Sequence, residues 1–137
     1  MNDRIKFYMF LSLWILYTCK GIDQSKEIAK SWKVVDIRMV NMDSMATSNQ
    51  DQYISVTPPA TIIYQFNADG TYTIDHAKQI DQGTWLISKD QKALLLTSSE
   101  NPADNASFVI EHFESYKMVI STDISGVKEF ITLEAMD

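Results

Sequence analysis

Residues capable of catalysis or metal binding are few and scattered along this chain. The two histidines, His76 and His112, stand next to Asp75 and Glu111 in unrelated segments, and no third ligand at metal-binding spacing accompanies them. Because both lie off the main apolar rows or near strand ends, we expect them to be solvated. There is no Gly-x-Ser-x-Gly motif, no glycine-rich phosphate loop and no His-Glu-x-x-His helix. We therefore predict a protein that is not an enzyme and that carries no metal and no cofactor.

The N-terminal segment has the charge and hydropathy pattern of an export signal. Arg4 and Lys6 precede an apolar run at residues 7–17, and the chain's single cysteine, Cys19, follows two residues later. A helix of that length rises about 16 Å, roughly half the hydrocarbon thickness of a bilayer, so the run is too short to span a membrane. The position and uniqueness of Cys19 therefore favour export followed by processing at this residue.

The segment Leu16-Tyr-Thr-Cys19 resembles a bacterial lipoprotein signal of the loose Bacteroidetes type. The resemblance implies cleavage before Cys19 and a diacylglycerol on its thiol, which would hold the mature protein on a membrane. It predicts a signal peptide at residues 1–18, a lipidated tether with a short helix at 19–30, and a folded domain at 31–137. We expect the protein in the bacterial cell envelope, at the outer membrane, on its periplasmic or surface face.

Length and charge limit the remaining classes of function. The chain has 137 residues, of which 45% are hydrophobic, so it is long enough for one domain with a sizeable core. Its 18 acidic residues outnumber its 12 basic residues, which gives a net charge of -6 and predicts no nucleic-acid partner. The acidic surface offers no polybasic attraction to a membrane, so membrane attachment must come from the lipid.

After Trp32 the apolar pattern changes to a period of two, which is typical of strands with one buried face. Turn signals such as Asn67-Ala-Asp-Gly70 separate most of the strands, and aspartates 69, 81 and 90 are interpreted as turn residues. Short connections make sequential strands pair antiparallel, and an even number lets the last strand close against the first. We predict an all-β, eight-stranded antiparallel up-and-down barrel. The predicted strands are 32–39, 60–67, 71–76, 82–88, 93–98, 107–114, 117–122 and 128–134, with residues 40–59 as a long linker that could cover one barrel mouth.

Four segments of the chain, in this order, resemble the small lipocalin-like domains of Bacteroidetes lipoproteins. They are Ser31-Trp-Lys-Val-Val, Tyr64-Gln-Phe-Asn-Ala-Asp-Gly-Thr-Tyr72, Gly83-Thr-Trp-Leu-Ile-Ser with Leu94-Leu-Leu-Thr97, and Phe113-Glu-Ser-Tyr-Lys-Met-Val-Ile120. The resemblance covers residues 28–135. Lys30 takes the place of the glycine that begins Gly-x-Trp in lipocalins proper, so the chain resembles their looser relatives. The resemblance implies a barrel with an apolar interior and no particular ligand.

Large aromatic residues on the predicted inner face are the candidate ligand-binding site. The set is Trp32, Tyr64, Phe66, Tyr72, Trp85 and Phe108. Their apolar surfaces suit a small hydrophobic or amphipathic molecule. The same side chains are large enough to fill an eight-stranded barrel. Two functions stay open from the sequence: a lipid-anchored, non-enzymatic envelope protein that binds a small hydrophobic ligand, or a filled-core structural or interaction module with a protein partner.

Overall fold

The computed structural model describes residues 23–41, 53–58 and 60–137. These residues form a short helix, α1 (Gln24–Ile28), and a single antiparallel sheet of nine strands. The strands are β1 (Ser31–Asn41), β2 (Tyr53–Val56), β3 (Ile62–Phe66), β4 (Thr71–His76), β5 (Gln79–Ile87), β6 (Ala93–Ser98), β7 (Ala106–Glu114), β8 (Lys117–Ile124) and β9 (Val127–Ala135). The predicted signal peptide and Cys19 lie outside the described residues.

The sheet closes into a barrel because its first and last strands pair. β1 and β9 pair from Trp32 opposite Ala135 to Asn41 opposite Val127, with one bulge between Val34 and Asp36. Strands β3 to β8 each pair with the next one along the chain. Strand β1 together with β3 to β9 therefore forms a closed eight-stranded antiparallel barrel, and the predicted fold class is confirmed.

Strand β2 was not predicted and lies within the segment interpreted as a linker. It pairs with the C-terminal part of β1, from Ile37 opposite Val56 to Val40 opposite Tyr53. The N-terminal part of the same β1 edge pairs with β3 at Ser31–Lys33. A linker over all of residues 40–59 is therefore wrong: the segment begins with the end of β1 and contains a short strand. Residues 42–52 and 59, which belong to the predicted mouth cover, lie outside the described residues.

The two ends of the barrel differ in construction. At the helix end, α1 lies beside the β3–β4, β5–β6 and β7–β8 turns. The Phe66 amide donates to the Lys30 carbonyl, and Lys30 Nζ donates to the Ser115 carbonyl. Ile28 of α1 is fully buried in the core, so the packed domain begins before residue 31. At the open end lie the β4–β5 and β8–β9 turns and the β6–β7 connection, which contains the 3-10 turn Pro102–Asp104.

The β4–β5 turn explains why β5 begins three residues earlier than predicted. Ala77 and Lys78 both have positive φ, 51° and 76°, and His76 pairs directly with Gln79. Two-residue hairpin loops favour this left-handed backbone, but they usually contain glycine or asparagine. The turn was therefore invisible in the sequence, and residues 79–81 were interpreted as a loop although they belong to β5.

Candidate functional site

Aromatic side chains fill the helix end of the barrel. Trp32 is 0% exposed, and its Nε1 donates to the Ile28 carbonyl at 2.9 Å. The rings of Phe66 and Trp85 are 5.3 Å apart, and Trp85 Nε1 donates to the Asn67 carbonyl at 3.0 Å. Buried indoles need such partners for their N–H groups, so these two tryptophans are held in fixed positions. This half of the barrel is a packed core.

Polar side chains enter the interior on β4, β5 and β6. The Tyr72 hydroxyl donates to Asp81 Oδ2 at 2.8 Å, and the Ser98 hydroxyl donates to Asp81 Oδ1 at 2.8 Å. Burial, together with the hydrogen bond to the Asp81 carboxylate, raises the pKa of Tyr72 above its ordinary value. Asp81, Gly83 and Trp85 are spaced two residues apart in β5, so they lie on the same face of the strand. The Asp81 carboxylate therefore belongs to the barrel interior. The interpretation of Asp81 as a turn residue is wrong.

Tyr64 lies at mid-height, between Trp32 on β1 and Ile74 on β4. Its side chain is 8% exposed, and its ring lies 6.1 Å from that of Phe66. Burial, followed by the negative charges of Glu129 and Asp81, raises the pKa of Tyr64 to about 12.

The inner face becomes partly exposed towards the open end. Ile62 pairs with His76. Met39 pairs with Glu129, which lies two positions from the core residue Ile131 in β9, on the side of the open end. Partly exposed aliphatic side chains here adjoin the core, among them Ile37, Ile62 and Ile74. A cleft of about 410 Å³ opens at this end. It is lined by Ile74, His76, Gln79, Ile80, Asp81 and Asp104.

Charge is distributed unevenly between the two ends. At the open end acidic residues predominate over basic ones. The acids are Asp36, Asp75, Asp81, Glu100, Asp104, Asp123 and Glu129, and the bases are Arg38, Lys78 and Lys128. At the helix end the two signs are nearly balanced. The lysines there are Lys26, Lys30, Lys33, Lys89, Lys92 and Lys117, beside Asp23, Glu27, Asp69, Asp90, Glu114 and Glu134. The open end therefore attracts cations more strongly than the helix end does.

A larger cleft of about 610 Å³ lies at the helix end, between α1 and the β5–β6 turn. Asp23, Lys26, Lys89 and Gln91 line it together with the edge of Trp85. It lies outside the barrel wall and does not open onto the inner face of the sheet, although Ala29, Ala68, Leu86 and Ile87 give it apolar lining as well. We therefore take the open end as the candidate site, although its cleft is the smaller of the two.

Both histidines are exposed on the protein surface. His76 is exposed at the end of β4, and His112 is exposed on β7, where its Nε2 lies 2.9 Å from Glu114 Oε1. No three histidine, cysteine or acidic residues within the described ranges are grouped so that they could hold a metal ion. No helix in the described part of the chain is long and apolar enough to cross a bilayer.

The closed barrel has a counterpart among solved structures. A crystal structure of a lipocalin-like protein from Bacteroides uniformis ATCC 8492 matches it with a TM-score of 0.52, over 80% of this chain and 99% of that chain, at 10% sequence identity. The fold is lipocalin-like. No protein-family model and no curated protein sequence matches the chain significantly. The resemblance stated from the sequence motifs is therefore confirmed at the level of the fold.

The six predicted aromatic residues come together inside this lipocalin-like barrel, all in one core cluster. Trp32, Phe66 and Tyr72 have no more than 1% of their surface exposed, so no water-sized void lies against them. Tyr64, Trp85 and Phe108 keep slightly more exposed surface. A role for the six in ligand contact stays a prediction, and the structure places the exposed part of the interior beyond them, towards the open end.

The sequence interpretation missed two residues of the candidate site, Asp81 and Glu129. A signal for Asp81 was present, because it precedes the core residue Trp85 by four positions and therefore shares its face if the strand is extended. Glu129 precedes Ile131 by two positions in the same way. Asp81 is missed because the β4–β5 turn lacks the residues typical of such turns, and Glu129 is missed because carboxylates are rarely placed on the inner face of a barrel.

Proposed function

We propose that this protein is a lipid-anchored, non-enzymatic protein of the bacterial envelope whose lipocalin-like barrel binds a small hydrophobic or amphipathic molecule at its open end. The anchor is Cys19, and the outer membrane is the proposed location. The binding part of the proposal is supported by one observation above all: the inner face is packed at the helix end and partly exposed at the open end.

The exposed part of the interior has the composition of a small-molecule site. Ile37, Ile62 and Ile74 supply apolar surface, and the Tyr72–Asp81–Ser98 group supplies fixed polar atoms. Ligand pockets usually combine a mostly apolar lining with a few placed polar groups. The cleft of about 410 Å³ at this end shares Ile74 and Asp81 with these residues and is otherwise lined by His76, Gln79, Ile80 and Asp104.

A second function, a structural or protein-interaction module, is favoured by the filled half of the barrel. Trp32, Phe66 and Tyr72 leave no room for a ligand deep in the interior. If the open end also stays closed to small molecules, the outer surface of the barrel is the remaining place for a partner. Uptake of an uncharged apolar probe separates the two functions.

The binding test uses N-phenyl-1-naphthylamine and the chain from residue 20 onward, which contains the whole described barrel and its helix. We expect saturable binding with a Kd in the micromolar range, about -8 kcal/mol, with quenching of tryptophan emission. Met39→Asp should weaken binding, because Met39 lies on the inner face at the open end and a charge there is costly to desolvate. Since Met39 is already 36% exposed, the variant should fold normally.

The matched control is Val109→Asp, which adds the same charge to an exposed position on the outer face of β7. It should bind the probe as the parent chain does. Equal weakening by both variants would move the site away from the open end. No saturable uptake by the folded chain would favour the interaction module instead.

The anchor is tested separately in the native host. The parent protein should fractionate with membranes and carry the mass of a lipid on Cys19. Cys19→Ser should abolish both, because no other residue supplies a thiol. A parent protein that is recovered without lipid would refute the anchor and leave the binding proposal untouched.

A further inference from the structure

Three large apolar side chains are exposed around the helix end of the barrel. They are Leu86 near the end of β5, Tyr116 in the β7–β8 turn and Met136 just after β9, and their exposure ranges from 43% for Met136 to 64% for Tyr116. The Met136 amide donates to the Ser31 carbonyl, where β1 begins. The Tyr116 carbonyl accepts from the Ala135 amide, at the end of β9. The three side chains therefore stand around one end of the barrel and face solvent.

Lysines lie beside these exposed side chains. Lys89, in the β5–β6 turn, lines the same outer cleft as Leu86. Lys117 directly follows Tyr116 in the chain. A tyrosine has an apolar ring with a polar tip, and a lysine has an apolar stem below its charged head, so both suit the boundary between lipid and water. The helix end therefore carries the side chains that proteins place at a membrane surface.

The open end also exposes aliphatic side chains, but the charge around them is different. Ile54, Ile80 and Ile124 are exposed there. The seven acidic residues at that end outnumber its three basic residues, whereas six lysines balance six acidic residues at the helix end. Anionic lipid headgroups repel carboxylates and attract lysines. The helix end is therefore the end that fits a bilayer surface.

The proposed lipid anchor lies close to the helix end. Asp23 caps α1 and follows Cys19 by four positions, whereas β1 alone contains 11 residues, so the tether is much shorter than the barrel. Two orientations satisfy such a tether: the barrel stands upright on its helix end, or it lies with its wall against the lipid. Lying down would also bring the acidic groups of the open end to the headgroups, so the charge distribution favours the upright orientation.

We propose that the helix end is a membrane-contact surface, on which the barrel stands upright against the headgroups of a phospholipid bilayer. Leu86, Tyr116 and Met136 contact the headgroup region, and the lysines beside them pair with lipid phosphates. This inference rests on the proposed anchor at Cys19 and adds to it a noncovalent contact that fixes the orientation of the barrel.

The test attaches the chain from residue 19 onward to vesicles through Cys19 and a maleimide lipid, so it does not depend on acylation in the native host. The vesicles contain phosphatidylcholine and phosphatidylglycerol, and a fraction of the headgroups carries a nitroxide that quenches nearby indoles. One tryptophan is added at a time: Tyr116→Trp at the helix end, Val109→Trp on the wall and Ile80→Trp at the open end. All three positions are exposed, and the quenching of the native tryptophans is subtracted.

We expect the headgroup nitroxide to quench Tyr116→Trp several-fold more strongly than Ile80→Trp, with Val109→Trp between them. Lys89→Glu should reduce the quenching of Tyr116→Trp, because it places a carboxylate where the lysine meets lipid phosphate. Lys78→Glu is the matched control, since Lys78 is an exposed turn lysine at the open end and undergoes the same change of charge. It should leave the quenching unchanged. Circular dichroism checks that each variant is folded.

The outcomes separate this inference from the proposed function. Equal quenching at the three positions, or the strongest quenching on the wall or at the open end, would overturn the membrane-contact surface. An equal loss with Lys89→Glu and Lys78→Glu would attribute the contact to the general charge of the protein and would also overturn it. None of these results changes the uptake of the apolar probe or the lipid mass on Cys19 in the host, by which the proposed function stands or falls.

Discussion

The helix end and the open end of the barrel are built from the same eight strands, yet they cover the inner face to different extents. At the helix end the N–H groups of Trp32 and Trp85 are bonded to backbone carbonyls, and α1 covers the core. Towards the open end the inner face carries partly exposed aliphatic side chains beside the hydrogen-bonded group of Tyr72, Asp81 and Ser98. The comparison indicates that one end supplies stability, while the other leaves side chains of the inner face accessible to a ligand.

The largest effect should come from the helix end. Trp32→Ala removes a fully buried indole and should lower the free energy of unfolding by about 3 to 5 kcal/mol. Ile80→Ala at the open end is the matched control, because Ile80 is 58% exposed and its loss should cost within about 0.5 kcal/mol. Urea denaturation followed by circular dichroism measures both. Similar losses would show that stability is not concentrated at the helix end.

Alkaline pH should lower the stability of the folded protein through the raised pKa of Tyr64. Its pKa rises from 10.0 to about 12 in the folded protein, so between these values the unfolded chain releases this proton while the folded chain keeps it. The stabilisation is complete below pH 10 and is lost as the pH rises towards 12, by about 1.4 kcal/mol per pH unit. Tyr64→Phe should remove this part of the pH dependence, measured by urea denaturation from pH 8 to 12. A variant with an unchanged slope would contradict the raised pKa.

The smallest effect should distinguish two tyrosines that lie near one another in the barrel. Tyr72→Phe removes the donor to Asp81 and should cost about 1 kcal/mol at pH 7. Tyr64→Phe removes a hydroxyl without a described partner and should cost nothing or slightly stabilise the protein. Thermal unfolding at neutral pH compares the two. A loss in Tyr64→Phe equal to that in Tyr72→Phe would mean that the Tyr64 hydroxyl has a partner in the free protein.

Much of the barrel could be predicted from alternation alone, because inward residues of an antiparallel barrel recur at a spacing of two. Strands β4 and β6 have the predicted bounds, and the other six predicted strands differ by up to three residues at an end. β2 was missed because it has only four residues and follows a long polar segment. Four residues hold too little pattern to identify a strand whose position depends on pairing with β1.

The candidate site was less predictable than the fold. The aromatic residues were identified from their apolar rows, but the sequence does not state which rows fill the interior and which end stays exposed. That division depends on α1, whose residue Ile28 enters the core from a segment interpreted as a lipidated tether with a short helix. Asp81 was assigned to a turn because Ala77 and Lys78 form a hairpin turn with residues that rarely adopt it.

The position of Asp23 determines how the barrel would stand on a membrane. Asp23 caps α1 at the helix end, and it follows Cys19 by four positions in the chain. An extended chain of that length reaches about 14 Å. With Cys19 acylated, the helix end must therefore face the lipid headgroups at close range, and the acidic open end must point away into the aqueous phase. A ligand would then enter from the water rather than from the bilayer.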